Sequence, residues 1–189
     1  MKHRVFIAIN LPDEVKKKLL DYRSKWPELP IRWTKKENLH ITLVFLGNLS
    51  DEEVLEVCNT VKEVAAQNPS FLVNLKGIVY GPPKKTPPRM VWVEGEKNKE
   101  LGKLQPELKN SLLNSSLKGL KTENRPYAPH ITLGRIKAWE FRQIEPEEKP
   151  EINEEISLSF EVNSLEVMES HLKRGGAEYM VLESCPLKS

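Results

Sequence analysis

The sequence is poor in cysteine, with only Cys58 and Cys185 among 189 residues. The two lie far apart, match no metal-binding or redox spacing, and stand in no nucleophile motif, which disfavours thiolate chemistry and predicts a reducing, cytoplasmic setting. Excess charge is also lacking. Lys and Arg number 29 against 27 Asp and Glu, a formal charge of +2. That is too little for a general polyanion binder, so any contact with nucleic acid is expected to be confined to a local basic site. No apolar run approaches the length of a membrane span. The stretch behind the basic start, "MKHRVFIAINLPDE", has an apolar segment of only about five residues, shorter than the core of a secretory signal. Low-complexity tracts and interdomain linkers are missing too. Residues 1–189 are therefore expected to form one α+β domain, long enough to bury its own core as a monomer without an obligate protein partner.

Periodicity supplies the elements. "VFIAI" (5–9) is a continuous apolar run suited to a buried strand. "LPDEVKKKLLDYRSKW" predicts a helix with Pro12 just inside its start and Val15, Leu19, Tyr22 and Trp26 on one face. Ser50 and Glu53 form a capping-box signature ahead of a stripe of Val54, Val57, Cys58, Val61, Val64 and Ala65. Leu101, Leu104, Leu108 and Leu112 describe a third helix, in which Pro106 is either tolerated or marks a kink. "FLVNLKGIVYG" and "MVWVEG" read as strands joined by the stiff loop "PPKKTPPR", and the C-terminal third as antiparallel sheet.

Only four histidines occur, yet two of them head an identical tetrapeptide: "HITL" at 40–43 and again at 130–133, ninety positions apart (130 − 40). In a strand, side chains two residues apart share a face at about 7 Å, so His40 pairs with Thr42 and His130 with Thr132. Ile41, Leu43, Ile131 and Leu133 take the opposite face and need apolar cover. If the two strands meet, two imidazoles and two hydroxyls converge on one space. In-line displacement at phosphorus needs a base on the attacking oxygen and an acid on the leaving one, and imidazole, with an ordinary pKa of about 6.5, can play either part near neutral pH. Arg135 is the nearest cation that could stabilise phosphoryl charge, although strict alternation puts it on the face opposite His130, so a bulge, twist or strand end is required. A single strand histidine is usually a packed residue; the doubled context is what favours a site.

These residues resemble the two-histidine phosphoesterase superfamily. More narrowly, "VFIAINLP", "ENLHITLVFLG", "RMVWV", "RPYAPHITLGR" and "ESHLKRGGAEYMVLES" look like the RNA 2',3'-cyclic phosphodiesterases, in the family's order and over almost the whole chain. The resemblance implies a bilobal α+β fold, two pseudo-symmetric lobes whose antiparallel sheets line a central cleft with helices outside. It implies hydrolysis of 2',3'-cyclic phosphate ends of RNA, or of nucleoside 2',3'-cyclic phosphates, to 2'-phosphomonoesters, with no metal and no cofactor. Joining of 2'-5' RNA at the same site is the near alternative. A module that grips RNA ends without turning them over is the more distant one. Carried over residue by residue, His130 is expected as base for water and His40 as acid to the 3'-oxygen, with Thr42, Thr132 and Arg135 on the phosphate. Phe45 matches a base-stacking position and is expected to bind substrate, while its parity relative to His40 leaves core packing equally open. Lys84, Lys85, Arg89 and Arg125 read first as solvated charges that could guide a backbone. Trp92 reads as a core aromatic, His3 and His171 as surface histidines, and Tyr179 fits the family's last strand without a derived role.

Overall fold

The computed structural model describes residues 2–115, 117, 127–174 and 176–188. The expected helices begin where side chains satisfy their first free N–H groups. Ser50 accepts from the Glu53 backbone N–H at 3.3 Å while its own N–H donates to the Glu53 carboxylate at 2.7 Å, opening α2 (Asp51–Gln67). Asn98 accepts from the Leu101 N–H at 2.8 Å and opens α3 (Lys99–Asn114), which carries Pro106 in its interior. The first helix differs from expectation. Pro12 stands at the N-cap of α1 (Asp13–Asp21) rather than inside it, and the chain tightens to a 3-10 turn at Tyr22–Lys25. Val15 and Leu19 are nonetheless buried, and Tyr22 and Trp26 pack against the core from the turn.

The strands are β1 (His3–Asn10), β2 (Ile31–Trp33), β3 (His40–Leu49), β4 (Phe71–Gly81), β5 (Met90–Gly95), β6 (His130–Ile136), β7 (Asn153–Val162), β8 (Ser164–Lys173) and β9 (Gly176–Pro186); a short α4 (Ala138–Gln143) follows β6. They form one antiparallel sheet in the order β7-β4-β5-β6-β3-β1-β8-β9, with β2 paired to β6. The order is symmetric about its middle. Four strands end in β3 and four in β6, each of which begins with "HIT", and the two halves meet through the pair Ile41↔Ile131.

One face is covered. Ile41, Leu43, Ile131 and Leu133 are buried in a single cluster with Val57 and Val61 of α2 and Leu104 and Leu108 of α3. Cys58 and Cys185 are free thiols buried in the same cluster. On the other face a small group, Phe6, Ala8 and Met168 with Tyr179 against it, is packed. "VFIAI" is apolar throughout because Val5, Ile7 and Ile9 serve the large core while Phe6 and Ala8 serve this second face. Among the described residues no helix is long and apolar enough to cross a membrane. Arg125 lies outside the described residues.

Candidate active site

Antiparallel pairing at Ile41↔Ile131 sets His40 beside Thr132 and Thr42 beside His130, all on the face that the helices leave open. The imidazoles thus stand on a diagonal, which for ideal ladder spacing is about 7–8 Å, room for one tetrahedral phosphate.

Each strand then slips register at the same point. On β3, Ala8 faces Thr42 but Ile7 faces Val44, leaving Leu43 as the extra residue. On β6, Trp92 faces Thr132 but Val91 faces Gly134, leaving Leu133 extra. Leu43 and Val44 are accordingly buried in succession, as are Leu133 and Gly134. A bulge of this kind inverts the alternation beyond it. Arg135 therefore returns to the face of His130, meeting the requirement raised by its sequence position. Phe45 returns to the face of His40, 56% exposed and with its ring 6.1 Å from Phe6, so the core placement suggested by its parity is corrected.

Both imidazoles are anchored alike. Nδ1 of His40 donates to the Asn38 carbonyl at 2.7 Å and Nδ1 of His130 to the Ala128 carbonyl at 2.8 Å. A carbonyl only accepts, so Nδ1 carries the hydrogen and Nε2 is left for proton exchange. The Thr42 hydroxyl lies 2.9 Å from His40 Nε2 and donates to it while the ring is neutral. Among the described residues His130 has no such bond to Thr132. Aromatic walls complete the mounts: His40 is 5.1 Å from Phe6 and 5.2 Å from Tyr179, and His130 stacks on Trp92 at 3.7 Å and 18°. The indole in turn lies over Gly81, where a Cβ would collide with its ring. Tyr127 ties the segment before His130 to the other motif by donating to the Thr42 carbonyl at 3.2 Å.

Burial lowers the proton affinity of both rings. His40 is pushed down to about 4, chiefly by desolvation against the Asn38 carbonyl's opposing pull, with the charges of His130 and Lys16 adding to the fall. His130 is lowered as well, chiefly by desolvation, but the Ala128 carbonyl and the carboxylate of Glu94, its cross-strand neighbour, pull the other way. Glu94 thus supports the imidazolium of His130, a support that His40 lacks. A cavity of about 330 Å³ opens beside it, lined by Trp92, Glu94, Tyr127, Lys76 and Asn98 among others. Among the described residues no group of three or more His, Cys, Asp and Glu side chains is placed to hold a metal ion.

The sequence profile of the LigT like Phosphoesterase family matches residues 9–92 and 94–179, spans that each contain one "HIT". The chain belongs to this family, the two-histidine phosphoesterases. It is 32% identical over 187 residues to an RNA 2',3'-cyclic phosphodiesterase of Thermotoga maritima, covering 96% of this chain and 94% of that one. It is 26% identical over 181 residues to a protein of the same name from Methanocaldococcus jannaschii, covering 95% and 98%. Among solved structures, a Thermus thermophilus protein superimposes with a TM-score of 0.81 at 28% identity over 98% of both chains. E. coli LigT in complex with 3'-AMP does so with a TM-score of 0.80 at 26% identity over the full length of both. The two-lobed α+β fold expected of this LigT-like phosphoesterase is the one observed.

Of the predicted site residues, His40, Thr42, Phe45, His130, Thr132 and Arg135 share one face. Lys84, Lys85 and Arg89 stay on the exposed β4–β5 loop, and His3 bridges Asp51 and Glu169 on the side of α2. Sequence reasoning missed the functional placement of Trp92, although the alternation in "MVWVEG" carries the signal: Val91 and Val93 are fully buried in the large core, so Trp92 must point to the other face. Phe6, Tyr179 and Tyr127 were equally unassigned, and only the strand order brings them to the histidines.

Proposed function

We propose that this LigT-like phosphoesterase is an RNA 2',3'-cyclic phosphodiesterase whose two histidines perform general acid–base catalysis on a single bound phosphate, without a metal. The observation that carries this reading is the pairing of the two "HIT" strands at Ile41↔Ile131, with both Nδ1 atoms tied to carbonyls, which leaves both Nε2 atoms for proton exchange.

Water attacks phosphorus and the P–O3' bond breaks, while P–O2' is kept, leaving a 2'-phosphomonoester. His130 Nε2 takes the proton from water, a role suited to the ring whose imidazolium the Glu94 carboxylate supports. His40 Nε2 gives a proton to the 3'-oxygen, a role suited to the ring whose buried setting makes its protonated form the stronger acid. The anionic phosphate raises the proton affinity of both rings when it binds. Thr42 and Thr132 hydroxyls and the Arg135 guanidinium hold the non-bridging oxygens, and Phe45 offers a face for the base. Each half of the chain supplies one histidine, so the reading treats the whole as a single catalytic domain acting without a second chain. Its two buried thiols suit a reducing cytoplasm.

The test supplies each nucleoside 2',3'-cyclic phosphate with chelator present and identifies the product. A 2'-phosphomonoester is expected, lost in His40→Ala and in His130→Ala; turnover that survives both substitutions would remove the basis of the reading.

A further inference from the structure

β2 contributes only three residues, but its register puts one of them in the cleft. Arg32 lies directly opposite Arg135, with Trp33 opposite Gly134. Directly opposed residues of an antiparallel pair project from the same face. That face is fixed independently, because Met90 opposes Arg135 from the other side and lies two residues from Trp92, the indole stacked on His130. Both arginines are exposed, and among the described residues neither has an acidic partner. Like charges directly opposed across a ladder are unfavourable. The strand holding Arg32 is nevertheless well fixed: Gly134 makes room for Ile31, and the Arg23 guanidinium donates to the Thr34 carbonyl and covers the Trp33 ring at 5.7 Å.

Two exposed guanidiniums on one face, at about 4.5–5.5 Å backbone spacing, offer a second phosphate contact beside the one that Arg135 makes to the reacting group. We propose that Arg32 binds the phosphodiester one nucleotide upstream of the cyclic end, beside the reacting phosphate held by Arg135, making oligonucleotides better substrates than mononucleotides. The inference rests on the cyclic phosphodiesterase reading and specifies its substrate class.

The experiment compares a nucleoside 2',3'-cyclic phosphate with a trinucleotide ending in the same group, for wild type, Arg32→Gln and Arg32→Lys. In Arg32→Gln the KM for the trinucleotide rises about tenfold more than that for the mononucleotide, the loss of one charge-assisted hydrogen bond. The salt slope of log KM for the trinucleotide falls by about 0.7, the value for one single-strand phosphate contact. Arg32→Lys retains most of that slope. An equal KM change for both substrates, or none, overturns the proposal, as does a drop in denaturation midpoint large enough to account for the loss. If the wild type hydrolyses neither substrate, the hydrolase reading fails instead. Fluorescence anisotropy with a 2'-phosphorylated trinucleotide then still decides on Arg32, through weakened affinity or none.

Discussion

Phe45 and Arg135 are structural equivalents: each stands five residues beyond its histidine and is turned to the catalytic face by a one-residue bulge at the same place in its strand. The two halves differ at the position just after the extra residue. Val44 occupies it on β3, whereas Gly134 on β6 is overlaid by β2, with Ile31 side-chain atoms 2.6 and 2.8 Å and the Arg32 carbonyl 2.9 Å from where a Cβ would be. Gly134→Val, which copies the first motif into the second, must push β2 away. Overpacking of this kind costs about 1–3 kcal/mol. The denaturant midpoint is expected to fall accordingly, and the KM for substrate to rise as Arg135 loses its register. An unchanged midpoint would mean that β2 does not press on the bulge.

The acid and base roles are separable by the leaving group. With His40 as acid, His40→Ala loses on the order of 10²–10⁴ in turnover of a nucleoside 2',3'-cyclic phosphate. It recovers most of that on an aryl phosphodiester, whose departing oxygen needs no proton. His130→Ala is impaired on both substrates because water still lacks its base. Rescue of His130→Ala in place of His40→Ala reverses the assignment.

Much of this was legible before any coordinates, and the limits have physical causes. Helices α2 and α3 follow from local signals, a capping box and a four-leucine stripe, which need no knowledge of the rest of the fold. The histidine pair follows from the repeat itself. The faces of Phe45 and Arg135 could not be read, because a bulge is a property of two strands in register and "HITLVF" gives no sign of which residue its partner leaves unpaired. Arg32 escaped for the same reason. Only the pairing of β2 with β6 sets it opposite Arg135, at a position more than a hundred residues away. Trp92 is the instructive error, since a buried aromatic was expected and found, but its ring serves His130 rather than the large core.

The pH dependence follows from the two lowered histidines. Both proton affinities lie below the ordinary 6.5 in the free enzyme. The profile of kcat/KM, which reports free enzyme, should therefore be a bell centred on the acid side of pH 6.5, its limbs belonging to the pair. That of kcat should lie at higher pH, because the bound phosphate favours both protonated rings. Removing the Glu94 carboxylate in Glu94→Gln withdraws support from the imidazolium of His130 and should move the alkaline limb of kcat/KM further to acid. An alkaline limb that stays in place, with His130→Ala still inactive, would show that Glu94 does not act on the ring.

Stability has a separate pH signature at the other side of the sheet. His3 donates through Nε2 to Asp51 at 2.7 Å and through Nδ1 to Glu169 at 2.8 Å, and two carboxylates on one ring require it to be doubly protonated. Its proton affinity is raised above 6.5, first by the bond to Asp51 and then by that to Glu169. A raised folded-state pKa contributes stability that is complete below 6.5 and disappears as the pH climbs through the folded value. Asp51 is lowered below 3.8, first by its bond to His3, so its share is present above 3.8 and lost as the pH falls through its folded value. The stability difference between wild type and His3→Gln should therefore be largest between pH 3.8 and 6.5 and shrink on either side. Urea titrations across pH 3 to 9 measure it, and a difference that does not vary with pH would mean that the imidazole is held by shape alone.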